Sequence, residues 1–184
     1  MAARILVAGI GNIFLGDDGF GPEVLRHVGG TAADPGVHIT DYGIRGLHLA
    51  YDLLEDWAAL VLIDAVPDRG SPGTVHVFAV ESAMRPRDEA EEERDNKTAT
   101  DHEPLSATAG FDAHSMDPGA VFATLRSLGG VAPPTVVVGC EVADVSDGIG
   151  LSEPVAAAVP EAVRAVESVL AMLRSEVDAT IKEG

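Results

Sequence analysis

Apolar residues fall in two patterns along this chain: short unbroken runs that stop at glycine or a carboxylate, and longer stretches where they return every three or four positions. The run at residues 4–9, RILVAG, is the first kind, and a continuous run of this length predicts a strand buried on both faces of a parallel sheet. A helix then begins at Pro22, a residue suited to a first helical turn, with Glu23 near its start and Val24, Leu25 and Val28 on its apolar side. Residues 37–43, VHITDYG, predict a second strand. Residues 46–57 carry Leu47, Tyr51, Leu54 and Trp57 at helical spacing. Residues 59–66, ALVLIDAV, are a third buried strand, and residues 74–80, TVHVFAV, a fourth. The seven residues PDRGSPG between them are too few for a crossover helix, so these two strands run antiparallel if they share a sheet. Residues 117–128 predict a helix with Asp117 as N-cap and Pro118 in its first turn. Residues 134–142, PTVVVGCEV, give the fifth strand, and a last helix runs from Pro160 to about Val177 with Val163, Val166, Val169, Leu170 and Leu173 as its apolar set. Strands alternating with helices in this order predict an α/β domain: a three-layer α/β/α sandwich around a five-stranded mixed, mostly parallel sheet.

One stretch has neither pattern. From Glu81 to about Gly110 the chain is highly charged without a sustained apolar period, which predicts an acidic surface insertion, about residues 82–109, within a single domain spanning 1–184. The wider charge balance is also one-sided: 12 Lys and Arg stand against 30 Asp and Glu, a formal net charge of -18. That charge repels nucleic acid and anionic lipid, so nucleic-acid partners are excluded from the expectation. No apolar stretch reaches the roughly 18 residues of a membrane span, and the amino-terminal run lacks the longer apolar region and cleavage pattern of a signal peptide. A single cysteine, Cys140, forms no internal disulfide, and a cytoplasmic protein is expected.

Ligands of open α/β sheets collect beyond the carboxyl ends of the strands, near the point where crossovers switch faces. The loops there are acidic: Asp17 and Asp18 follow the first strand, Asp41 ends the second, Asp64 and Asp68 belong to the third, and Glu141 and Asp144 to the fifth. The segment GIGNIFLGDDGFGP, residues 9–22, starts like a dinucleotide-binding turn, but Phe14 stands where the third glycine belongs. Asp17 and Asp18 also put negative charge where a pyrophosphate would sit, so the loop suits a cation better. Capping a helix amino end is an alternative use for either aspartate. Asp64, directly after LVLI, emerges at the carboxyl edge of the sheet and needs a partner, either loop amides or a ligand. His114 lies in a loop ahead of the helix at 117, whereas His27, His38, His48, His76 and His102 fall in predicted helices, strands or the insertion. One imidazole and two carboxylates from separated loops suit a borderline divalent metal such as nickel or zinc, although scattered Asp and His residues are common without one. Cys140, at the end of an apolar strand, reads as a packing residue, and Ser115 has no evident triad.

In order, the segments ILVAGIGNIFLGDDGFGPEV, LVLIDAV, SPGTV, AHSMDPGAV, VVVGCEV and GIGLSEPV resemble those of the hydrogenase maturation endopeptidases over nearly the whole chain outside the acidic insertion. The resemblance implies an endopeptidase, of a family often classed as aspartic-type, that removes the carboxyl-terminal extension of a nickel-iron hydrogenase large-subunit precursor after nickel insertion. It implies the same three-layer fold, and it carries the metal-contacting and catalytic positions to Asp18, Asp64 and His114, with Asp18 standing where some relatives have glutamate. Nickel is then supplied by the precursor rather than held permanently. The implied partner is the nickel-loaded precursor, met transiently by a monomer. The alternative expectation is a nickel-recognising binding module or chaperone that contacts the same precursor without cutting it. The segment DYGIRG departs from the family loop and leaves the roles of Asp41, Gly43 and Arg45 open.

Overall fold

The first strand, β1 (Ile5–Ile10), is buried at every residue, as a strand flanked on both edges and covered on both faces must be. The computed structural model describes residues 4–28, 34–80 and 117–183. Within them β2 (Val37–Gly43), β3 (Ala59–Val66), β4 (Val75–Val80) and β5 (Thr135–Glu141) join β1 in a five-stranded sheet of order β2-β1-β3-β5-β4. Four strands are parallel and β4 runs antiparallel to β5. The short connection after β3 therefore reverses the chain as predicted, but β5 inserts between β3 and β4, so the two are not neighbours.

Alternation along the strands divides the core into two layers. Ile5, Val7, Val61, Ile63, Val138 and Cys140 face one way, against α1 (Phe20–His27) and α4 (Glu153–Glu183). Leu6, Ala8, Leu60, Leu62 and Val137 face the other way, against α2 (Gly46–Asp52) and α3 (Pro118–Ser127). The edge strands β2 and β4 keep exposed positions, in contrast to the three between them. This is the three-layer mixed sheet that the apolar pattern predicts.

Two helices differ from their sequence readings. In α2 the buried residues are Leu49 and Ala50, joined by Leu53 just beyond its end, while Leu47, Tyr51 and Leu54 are exposed. Both sets have helical spacing, and a helix of two turns is oriented by the strands it joins rather than by its own periodicity. The last helix begins seven residues earlier than Pro160 predicts, with Pro154 near its start and Pro160 inside it. Its buried stripe of Val155, Ala158, Val159, Ala162, Val166, Val169, Leu170 and Leu173 is continuous through the proline, so packing outweighs the lost hydrogen bond.

Candidate active site

The loop after β1 reaches α1 through one turn of 3-10 helix at Gly16–Gly19, and Asp17 and Asp18 sit on that turn. Gly11 allows the chain to fold back over it: its φ is +131°, and a Cβ there would lie 1.8 Å from the Asp18 carbonyl oxygen. Gly21 lets α1 lie directly on β1 and β3, since a Cβ would meet the Ile10 and Ile63 carbonyl oxygens at 2.3 and 2.5 Å. That close helix–strand approach is the service a third glycine gives a dinucleotide turn, performed here further along the chain.

The acidic residues of this edge separate by hydrogen-bond accounting. Asp41, Asp68 and Asp144 each accept the backbone N–H two residues ahead and thereby close their own turns. Glu141, buried, accepts the Arg69 and Ser71 N–H groups and pairs with His76 Nε2 at 2.7 Å, contacts that hold its carboxyl below the usual range. Asp17, at 0% exposure, accepts the N–H groups of Ala143, Asp144 and Ser152 and the Ser152 hydroxyl at 2.6–2.9 Å. It caps no helix of its own; it ties the loop ahead of α4 to the loop after β1.

Asp18 and Asp64 are different. They are 5% and 6% exposed, and the ion pairs of the described residues, formed by Arg4, Arg26, His27, His76 and Arg174, reach neither. Asp18 Oδ2 accepts the Asn12 N–H at 2.7 Å, yet burial still raises its carboxyl above the ordinary value. Asp64 is raised well above it, first by burial, then by the charge of Asp18 and, more weakly, of Asp117, against one opposing bond from the Ala65 backbone. Two of the three predicted residues are thus brought together electrostatically at the switch between β1 and β3, where α1 and α2 leave on opposite faces.

His114, His102 and Ser115 lie outside the described residues, as does the predicted insertion. Among the described residues no three His, Cys, Asp or Glu side chains are placed to hold a metal ion. The paired carboxyls nevertheless have the chemistry of a cation site, because a positive charge between them would relieve both burial and repulsion. Beside the 3-10 turn, an apolar cleft of about 630 Å³ opens between α1 and α4, with Ile13, Ile149 and Val159 in its walls. Cys140 is fully buried and its thiol is pushed up to about 12, chiefly by burial, which leaves it inert as predicted. Sequence reasoning did not find the Asp17 clamp; the only signal was a second aspartate beside the first. In DYGIRG, Arg45 donates to the Asp41 and Tyr42 carbonyls and Gly43 accepts the Gly11 N–H, so these residues brace the loop that covers the 3-10 turn.

A three-layer α/β/α fold with two buried carboxyls at its switch point, neither ion-paired among the described residues, defines the class of protein to which known proteins can be compared. A family described as hydrogenase maturation protease matches residues 98–169. A protein of Methanocaldococcus jannaschii named as a hydrogenase maturation protease is 30% identical over 168 residues, 88% of this chain and 93% of its own length. The hydrogenase expression/formation protein HupD of Rhizobium leguminosarum is 30% identical over 177 residues, 95% of this chain and 76% of its own. Among solved structures, the hydrogenase maturating endopeptidase HybD of Escherichia coli superposes with a TM-score of 0.68 at 26% identity, covering 94% of this chain and 93% of that one. The hydrogenase 2 maturation peptidase of a Thaumarchaeota archaeon gives 0.64 at 27% identity, covering 91% and 97%. The chain belongs to the hydrogenase maturation protease family, and it is a peptidase by that membership.

Proposed function

We propose that this protein removes the carboxyl-terminal extension of a nickel-iron hydrogenase large-subunit precursor once nickel has been inserted. Asp18, Asp64 and His114 read the nickel that the precursor carries, so nickel belongs to the substrate and not to the resting enzyme. The observation that carries this reading is the pair Asp18 and Asp64: buried, unpaired with any cation among the described residues, and near enough for the Asp18 charge to raise the Asp64 carboxyl. Such a pair is costly until a cation arrives. His114 is three residues from Asp117, at most about 10 Å of chain, and the charge of Asp117 acts on Asp64.

The same electrostatics supply a reason for nickel dependence. In the resting protein, burial and the Asp18 charge favour the protonated form of Asp64. A divalent cation carried by the substrate would favour the ionised form of Asp64, and a carboxylate of the pair would then be available as general base toward the attacking water. Family membership favours this peptidase over the binding-module alternative. The enzyme acts in the cytoplasm as a monomer that meets its precursor transiently, and its described residues form one domain.

The test is to incubate the protein with its cognate precursor, with and without nickel loaded, and to read the precursor's mass intact. Loss of one defined carboxyl-terminal peptide from the nickel-loaded form alone is the expected result. An unchanged mass for a confirmed nickel-loaded cognate rejects proteolysis.

A further inference from the structure

Asp17 and Asp18 are adjacent and both buried, yet among the described residues Asp18 accepts a single hydrogen bond, from the Asn12 N–H, where Asp17 accepts four. Both Asp17 oxygens are engaged: Oδ1 accepts the Ser152 N–H at 2.6 Å, and Oδ2 accepts the Ala143 and Asp144 N–H groups and the Ser152 hydroxyl at 2.8, 2.9 and 2.8 Å. These donors lie 126 to 135 residues away in sequence, and Ser152 immediately precedes α4. Three backbone bonds run beside the clamp: Asp17 N–H to the Asp144 carbonyl, Gly16 N–H to the Gly148 carbonyl, and Gly148 N–H to the Phe14 carbonyl.

Successive residues of a 3-10 turn project about 120° apart. Fixing the direction of Asp17 therefore fixes the rotation of the turn, and with it the direction of the Asp18 carboxyl, which accepts the Asn12 N–H and whose charge acts on Asp64. We propose that Asp17 is a positioning residue for the cleavage reaction, holding the Asp18 carboxylate in register with Asp64 by anchoring the 3-10 turn to the β5–α4 loop. This inference rests on the function proposed above, but its structural half can be read without catalysis. A full-length Asp17→Ala protein loses all four bonds, Ser152→Ala loses the hydroxyl bond, and Asp17→Asn keeps an oxygen for one side of the clamp.

The experiment measures cleavage of the nickel-loaded precursor, well below each variant's melting temperature, alongside amide hydrogen exchange at Asn12. Asp17→Ala should lower kcat about 100-fold with a much smaller change in KM, since misplacing a reacting group acts on the chemical step. Asp17→Asn should recover part of that loss, and Ser152→Ala should lose least. The Asn12 amide should exchange faster in the same order, because its acceptor, Asp18, has moved. A kcat that merely follows the folded fraction, or an Asn12 exchange rate unchanged in Asp17→Ala, overturns the positioning role. If the wild-type protein cuts nothing, the proposed function fails, and the exchange data alone decide whether Asp17 places Asp18.

Discussion

A buried carboxyl whose folded form favours the proton destabilises the protein above the pH at which it ionises. Asp64 is such a group, raised by burial and by Asp18, so the folded chain binds more protons than the unfolded chain between the ordinary carboxylate pKa and the raised value. Stability therefore falls as pH rises through that window. Asp64→Asn removes the penalty: it should abolish precursor cleavage yet raise the melting temperature at neutral pH by roughly 2–4 °C, as about 1 kcal/mol does in a chain of this length. The gain should vanish below the ordinary carboxylate pKa, where Asp64 is protonated in both states. Thermal melts across pH check this, and a variant less stable than wild type at neutral pH contradicts the reading of Asp64 as a carboxyl whose burial outweighs its hydrogen bonding. The sequence showed Asp64 at a strand end and placed Asp18 among candidates. Only the family resemblance singled out Asp18; residue chemistry alone could not separate it from Asp17, because the donors that occupy Asp17 arrive from residues 143, 144 and 152 only when the loops meet.

Elements were legible where their apolar runs are buried on both faces. β1, β3 and β5 lie at their predicted positions because an unbroken apolar run has no polar side to turn outward. α2 was legible as a helix but not in its direction, since the stripe holding Leu47 and Tyr51 and the one holding Leu49 and Leu53 fit the same period. In α4, local proline chemistry favoured a start at Pro160, and the buried stripe overrode it. That override has a cost: Pro160 has no N–H to give the Ala156 carbonyl four residues back, and its ring crowds that carbonyl. Pro160→Ala should restore the bond and stabilise the protein by about 1–3 kcal/mol, seen as a higher midpoint in denaturant with an unchanged m-value. An unchanged or lower midpoint would show that the helix has already relaxed around its proline.

At the scale of the whole molecule, charge dominates. A formal net charge of -18 on 184 residues makes the folded state repel itself, and salt screens that repulsion. The melting temperature should rise between about 0.01 and 0.5 M sodium chloride; a flat or falling curve would mean that local ion pairs outweigh the net charge. No helix among the described residues is long and apolar enough to cross a membrane. Fold class, strand order along the chain and the acidic character of one sheet edge were determined by the sequence alone, because burial periodicity and strand-end carboxylates are local properties. The order of strands across the sheet, with β5 between β3 and β4, was decided by tertiary packing. So was the division of the acidic edge into residues engaged in turns and clamps, Asp17, Asp41, Asp68, Asp144 and Glu141, and the pair Asp18 and Asp64, which no ion pair among the described residues reaches. A carboxylate's role depends on which donors surround it, and those donors are far away in sequence and close only in the folded chain.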